Sequence, residues 1–267
     1  MKKTISHDQN ITNIYAKSTS VLAINNDMTN NKSLDSLNCN RNTKKFNSQH
    51  YSVTCCSTYR IKDDHVCSGD SFKYDYTSNN QFYMILSDGM GSGNNSFHRS
   101  LKTIKITSQM LKMGFATETI AKSINKFLIH DNIDEIFTTL DLVLIDLSTL
   151  NFEFIKACAN PTYVIHNDNS IETILSQSVP VGIIKDIEFG VIANQFRDDD
   201  IIIMCTDGVE NPQSLWIEKY LLRNDLRRIE CEDMIEILIK EACVVNKSIS
   251  DDMTILISKI IVNTNSK

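Results

Sequence analysis

Apolar residues fall into short runs, and the spacing inside each run predicts its element. Ser52 to Ile61 and Gln81 to Ser87 are rich in β-branched, aromatic and cysteine residues, as half-buried strands are. Leu101, Ile104, Ser108 and Leu111 recur at helical spacing and predict a helix near Ser96 to Met113, with Asn94 to Ser96 as its N-cap. A second helix is predicted near Thr119 to Ile129, with Ile120, Ile124, Phe127 and Leu128 on one face. Leu140, Leu142, Leu144 and Asp146 then alternate with Asp141, Val143, Ile145 and Leu147 in a long strand. Phe152 to Ala157, Thr162 to His166 and Ile171 to Leu175 follow closely, with turns at Asn160-Pro161 and Asn167-Asp168-Asn169. Such short links require antiparallel pairing, because parallel crossovers need a dozen or more residues. Ile201 to Cys205 reads as a buried strand and Met253 to Val262 as the last strand. Between them Glu232 to Val245 is a helix carrying Met234, Leu238, Ala242 and Val245 on one face. The order predicts an α+β class, with helices covering antiparallel sheets.

Composition changes this picture at the N-terminus. Residues 1–50 hold ten asparagines and six serines with few clustered apolar residues, too few to offset chain entropy. The expected organisation is a mostly disordered Asn/Ser-rich segment, 1–50, followed by a folded domain, 51–267. Charge divides the same way. Residues 1–50 carry seven Lys/Arg against three Asp/Glu, and the rest carries twenty against thirty. An acidic domain is a poor partner for a phosphate backbone, so nucleic acid is not expected. The longest apolar runs are far short of the ~20 residues of a membrane span, and no secretory signal opens the sequence. Eight cysteines without zinc spacing read as small buried hydrophobes in a reducing, cytoplasmic setting, Cys158 and Cys205 among them.

The candidate chemistry lies in aspartates at strand ends. Met84-Ile85-Leu86-Ser87-Asp88-Gly89 and Ile203-Met204-Cys205-Thr206-Asp207-Gly208 both read as apolar strand, hydroxyl residue, Asp, Gly. A rigid strand delivers its terminal carboxylate to a defined place, and the glycine allows a tight turn and close backbone approach. Asp70 follows Gly69 after a strand-like segment, and Asp251-Asp252 precede the last strand. Any one Asp-Gly is a common turn. A convergent set is different, because the carboxylates repel and call for a compensating cation. Oxygen donors alone favour magnesium or manganese, and two such ions ~4 Å apart can ready a water and clamp a phosphoryl group.

Gly69-Asp70-Ser71, Leu86 to Gly93, Cys205-Thr206-Asp207-Gly208 and Asp251-Asp252-Met253-Thr254 together resemble the PPM (2C-type) serine/threonine phosphatases. Within that family the set is most similar to the phosphatase domain of stage II sporulation protein E, as are Phe137 to Asp141 and Ser178 to Gly182. The resemblance covers roughly 51–262. It implies a four-layer α-β-β-α sandwich of two antiparallel sheets flanked by helices, with two Mn2+ or Mg2+ ions between the sheets. It implies Asp88 as the bridging ligand, the Gly89 carbonyl as another, Asp207 as the next, and Asp251 as the last with Asp252 as the alternative. Asp70 is placed near the second ion or its waters. It implies hydrolysis of phosphoserine on an anti-anti-sigma factor, releasing a sporulation sigma factor. Met90 stands where eukaryotic members carry histidine, so the motif names no general acid.

Two other readings stay open: a catalytically silent binding module for sigma-factor regulators, and a stress-response phosphatase of the same chemistry. The loop Gly89-Met90-Gly91-Ser92-Gly93 has neither dinucleotide nor P-loop spacing. No G-x-S-x-G nucleophile elbow occurs, and the six histidines show no metal-site pairing. Asp198-Asp199-Asp200 is expected to form a solvated turn.

Overall fold

The computed structural model describes residues 40–63, 65–91, 94–130, 137–176, 178–211, 214–247 and 249–263. The strands are β1 (Asn40–Asn47), β2 (Tyr51–Arg60), β3 (Asp70–Tyr76), β4 (Gln81–Asp88), β5 (Leu140–Asp146) and β6 (Asn151–Ala157), then β7 (Thr162–Ile165), β8 (Ile171–Ile174), β9 (Val191–Gln195), β10 (Ile201–Cys205) and β11 (Met253–Val262). The helices are α1 (Asn94–Lys112), α2 (Thr117–His130), α3 (Trp216–Leu221) and α4 (Cys231–Asn246). Sheet I has the order β1-β2-β11-β10-β7-β8 and sheet II the order β3-β4-β5-β6-β9. Every pairing is antiparallel.

Strand alternation sorts the side chains into three cores. Val53, Ile202 and Leu256 of sheet I meet Phe82, Met84 and Phe154 of sheet II between the sheets. The outer face of sheet I packs on α3 and α4 through Ile203, Ile257, Met234 and Leu238. The outer face of sheet II packs on α1 and α2 through Ile85, Leu142, Ile104 and Ile124. The result is the expected sandwich of helices, sheet, sheet and helices. Among the described residues no helix is long and apolar enough to cross a membrane.

The boundary expected at residue 51 moves. β1 lies inside the stretch expected to be disordered, and residues 1–39 lie outside the described residues. β1 carries Lys44 and Lys45, as sheet edges often do, and that polarity hid it. Phe46 pins it edge-on against Tyr76 with ring centroids 4.9 Å apart, and it also meets Phe82. Asp70 does not follow a strand; it opens one. β3 was obscured by its charges: Lys73 turns toward Ser108 of α1, and Asp75 pairs with Lys112 at 2.8 Å. The edge strand β9 has almost no buried positions and so no readable period.

The helix faces also shift. α1 buries Ser96, Ser100, Thr103 and Thr107 beside Ile104 and Leu111, a hydroxyl-rich face that apolar spacing could not reveal. On α2 Phe127 stays partly exposed under the Lys102 ammonium, 4.3 Å from its ring, and so does Val245 of α4. Cys158 is exposed rather than buried, because the chain turns there with φ of 50°. Asp200 is buried, not solvated: it accepts the Arg197 N–H at 2.8 Å and meets His166 Nδ1 at 3.0 Å. Trp216 packs edge-on against Tyr220 and donates to the Val209 carbonyl at 3.0 Å.

Gly208 fixes the approach of β10 to β11. A Cβ there would lie 2.0 Å from the Asp252 carbonyl oxygen and 2.8 Å from its carbon. Backbone cannot yield as a flexible side chain does. Gly208→Ala is expected to cost about 3 kcal/mol, read as a lower midpoint in chemical denaturation followed by circular dichroism.

Candidate functional site

Antiparallel pairing brings the expected acidic residues to one end of the sandwich. On sheet II, Asp70 at the start of β3 lies directly opposite Asp88 at the end of β4. On sheet I, Asp207 follows β10 and Asp251-Asp252 precede β11, with the two ends joined by Thr206 N–H to the Thr254 carbonyl at 3.0 Å. The Thr206 and Thr254 hydroxyls donate to Asp70 Oδ2 at 2.8 and 2.7 Å, tying the sheets together through one buried carboxyl.

The segments flanking these aspartates are held by their own bonds. Asp88 N–H donates to Thr139 Oγ1 at 2.8 Å, and its carbonyl accepts Thr138 Oγ1 at 2.6 Å and Thr139 N–H at 2.9 Å. Thr138 also pairs with Val181, which explains why the Phe137 and Ser178 segments accompany the aspartates. The Gly89 carbonyl accepts a hydrogen bond from Ser96 Oγ of α1. A Cβ on Gly89 would lie 2.2 Å from the Ser96 carbonyl oxygen, so glycine is what lets α1 start against the site.

The structure separates Asp252 from Asp251. Both Asp252 oxygens are committed, accepting Lys62 N–H at 2.8 Å and Gly69 N–H at 2.7 Å. It is a clamp for the β2–β3 loop. Asp251 is exposed, and one oxygen accepts only the neighbouring Asp252 N–H at 2.9 Å.

The charges oppose one another. Burial first, then Asp207, Asp251 and Asp252, push the Asp88 carboxyl up to about 7, while a hydrogen bond from Asp70 pulls it down. Asp70 is raised well above the carboxylate range by burial and then by Asp88. Asp207 is raised by desolvation and then by Asp251. Because its side chain stays open to solvent, that shift carries little stability. None of the ion pairs among the described residues includes these five aspartates.

A carboxyl whose folded value is raised favours the folded state most below its unfolded value near 4 and progressively less as pH rises through its folded value. The metal-free protein is therefore expected to lose thermal stability between about pH 4 and about 7 as Asp88 ionises. A melting series in chelator, with and without added Mn2+, checks this; a flat series would show that the carboxyls do not interact.

Mutually repelling oxygen donors, half-buried at Asp88 and open to solvent at Asp207 and Asp251, without a cationic partner suit hard divalent cations. Among the described residues no three acidic, histidine or cysteine side chains close around one point as a finished cage. The carboxyls instead lie close enough for the charges of Asp207 and Asp251 to act on Asp88. Beside them a small pocket is lined by Asp88, Asp207, Asp141, Thr139, Asn160 and Cys158.

Several supporting residues escaped the sequence reading. Buried Glu210 accepts Tyr163 OH at 2.6 Å and Ile217 N–H at 2.7 Å, and its carbonyl accepts Asn160 Nδ2 at 2.7 Å. It holds the loop that carries Asp207. Lys156 Nζ lies 2.5 Å from Asp141 Oδ2 and donates to Thr162 Oγ1 at 2.7 Å, all within the protein interior. A lysine between the apolar Ile155 and Ala157 was the available signal. His98 is exposed on α1.

Known proteins agree with this architecture. Residues 78–261 match the family model described as stage II sporulation protein E (SpoIIE). The stage II sporulation protein E of Priestia megaterium is 32% identical over 228 residues, covering 80% of this chain and 39% of that protein. The chain thus spans about two-fifths of that relative's length. The solved PP2C phosphatase domain of SpoIIE from Bacillus subtilis, with a fragment of its regulatory domain, superposes with a TM-score of 0.73 at 26% identity, covering 85% of this chain and 72% of that one. The catalytic domain of the serine/threonine protein phosphatase PstP, in complex with two manganese ions, shares the fold with a TM-score of 0.63 at 14% identity, covering 79% and 99%. With a PPM sandwich and a family match over more than half of its residues, the chain belongs to the stage II sporulation protein E family of PP2C-type phosphatase domains.

Proposed function

We propose that this domain is a metal-dependent protein serine phosphatase. The observation that carries the reading is that Asp88 from sheet II and Asp207 and Asp251 from sheet I lie at one end of the sandwich, where the charges of Asp207 and Asp251 raise Asp88 and that of Asp251 raises Asp207. Asp88, Asp207 and Asp251 would hold two Mn2+ or Mg2+ ions, with the Gly89 carbonyl as a further donor. Asp252 and Asp70 serve the frame, clamping a loop and joining the sheets. When bound, the ions supply positive charge that binds a phosphoryl group and acidifies a water. The chain's own part is to fix the carboxyls. Thr138 and Thr139 lock the backbone of Asp88, Glu210 holds the Asp207 loop, and the β10–β11 pairing sets Asp251 beside it.

The proposed substrate is a phosphoserine on an anti-anti-sigma factor, whose dephosphorylation releases a sporulation sigma factor. Family membership supports that class of regulator. The test is hydrolysis of phosphoserine on candidate anti-anti-sigma proteins, with Mn2+, with Mg2+ and with chelator. Turnover that requires metal supports the reading. Metal binding with no turnover on any phosphoprotein would leave a binding module, and turnover restricted to stress regulators would reassign the substrate.

A further inference from the structure

The pocket beside Asp88 and Asp207 contains a carboxylate that the metal ligands do not explain. Asp141 lies on β5 opposite Leu86 of β4 and opposite Lys156 of β6, so its side chain shares the inter-sheet face with Asp88. It is 1% exposed. Its Oδ2 is fully engaged, 2.5 Å from Lys156 Nζ and 3.1 Å from Thr162 Oγ1. Its Oδ1 is equally buried and has no donor among the described residues, yet the residue lines the pocket.

A buried carboxylate oxygen left without a donor is costly, so the oxygen calls for a ligand that donates a hydrogen bond. Charge decides the kind. The Lys156 ammonium already matches the Asp141 charge, and it would repel another cation placed on the same carboxylate. A neutral donor remains, and the pocket offers it further polar partners in Thr139 and Asn160. A small polar site with two to four such partners is where a protein holds an ordered water.

We propose that Asp141 is a positioning residue that anchors a water molecule in the pocket alongside Asp88 and Asp207, with Lys156 and Thr162 as the clamp that keeps Oδ1 turned toward it. The inference rests on the phosphatase reading for its consequence, because Asp88 and Asp207 line the same pocket. The water site itself is independent of that reading. Asp141 does not touch the phosphoryl group; it fixes the solvent next to the residues that do the chemistry.

Two double variants test this, each neutralising the pair so that no charge is stranded. Asp141→Leu with Lys156→Met removes the acceptor. Asp141→Asn with Lys156→Met keeps an oxygen at the same place. With Mn2+ and a phosphoserine peptide, the Leu/Met protein is expected to lose about tenfold or more in kcat with KM unchanged. The Asn/Met protein, whose amide oxygen Thr162 can still hold, is expected to lose clearly less kcat than Leu/Met. A packing role would move both alike, so equal kcat in the two doubles, or wild-type kcat in Leu/Met, overturns the proposal. Crystals of the metal-free proteins supply the second readout. Wild type should show a water within hydrogen-bonding distance of Asp141 Oδ1, and Leu/Met should not. Wild-type crystals without that water overturn the proposal whatever the kinetics. Inactive wild-type protein that shows the water would sink the phosphatase reading and leave the water site standing.

Discussion

Asp88→Asn is expected to abolish metal-dependent hydrolysis, by about a thousandfold or more, while the protein remains folded and melts at a higher temperature without metal. The two effects have one cause. Asp88 ends a strand whose backbone Thr138 and Thr139 hold rigidly, and its carboxyl is forced toward those of Asp207 and Asp251. Near pH 8 the metal-free fold must carry that charge against burial and its neighbours. The displacement of Asp88 from the usual carboxylate range to about 7 corresponds to roughly 4 kcal/mol between its two forms. Asparagine keeps the shape and removes the charge. Recovering even about 1–2 kcal/mol would raise the melting temperature by roughly 3–6 °C for a domain of this size. Added Mn2+ should stabilise the wild type and leave the variant unmoved. An Asp88→Asn protein with normal turnover would falsify the metal-centre reading; one that melts lower without metal would show that Asp88 is a structural ligand of the loop instead.

That coupling also explains what was legible before the fold was known. Asp88 and Asp207 each end a run of buried apolar residues, so the sequence announces both a rigid strand and a carboxylate at its tip. β10 and β11 are predicted at their observed bounds because every residue of β10, and most of β11, is buried. Elements that lean on polar contacts were hidden. β1 is a charged edge, β3 alternates with Lys73 and Asp75, and α1 meets the sheet through hydroxyls. Asp251 and Asp252 could not be separated by motif. Adjacent residues at a strand entry point in different directions, and only the tertiary position of Lys62 and Gly69 shows that Asp252 is spent on their N–H groups. Asp200 and Cys158 err in opposite senses for one reason: solvent exposure at a turn depends on the partner across it, His166 for one and open space for the other. The Lys156–Asp141 pair was missed because its two members are far apart along the chain until β5 and β6 align.

That pair makes the second large prediction. Lys156→Met alone is expected to cost about 3–5 kcal/mol, because it strands a carboxylate in the interior, whereas Lys156→Met with Asp141→Leu should stay near wild type. The pH dependence separates a stranded charge from lost packing. Burial raises Asp141, so once Lys156 is gone the acid is best tolerated neutral; its folded value lies above its unfolded one, and stability is lost as pH rises. Lys156→Met should therefore lose more at about pH 9 than at about pH 6. Asp141→Leu alone gives the opposite slope. Burial lowers Lys156, so the stranded amine is best tolerated neutral at high pH, and stability is lost as pH falls. Denaturant midpoints of the two single variants and the double, measured across that range, should trace slopes of opposite sign for the singles and a near-level line for the double. Parallel slopes would mean that the two groups do not neutralise each other in the folded protein, and the clamp on Asp141 would lose its basis.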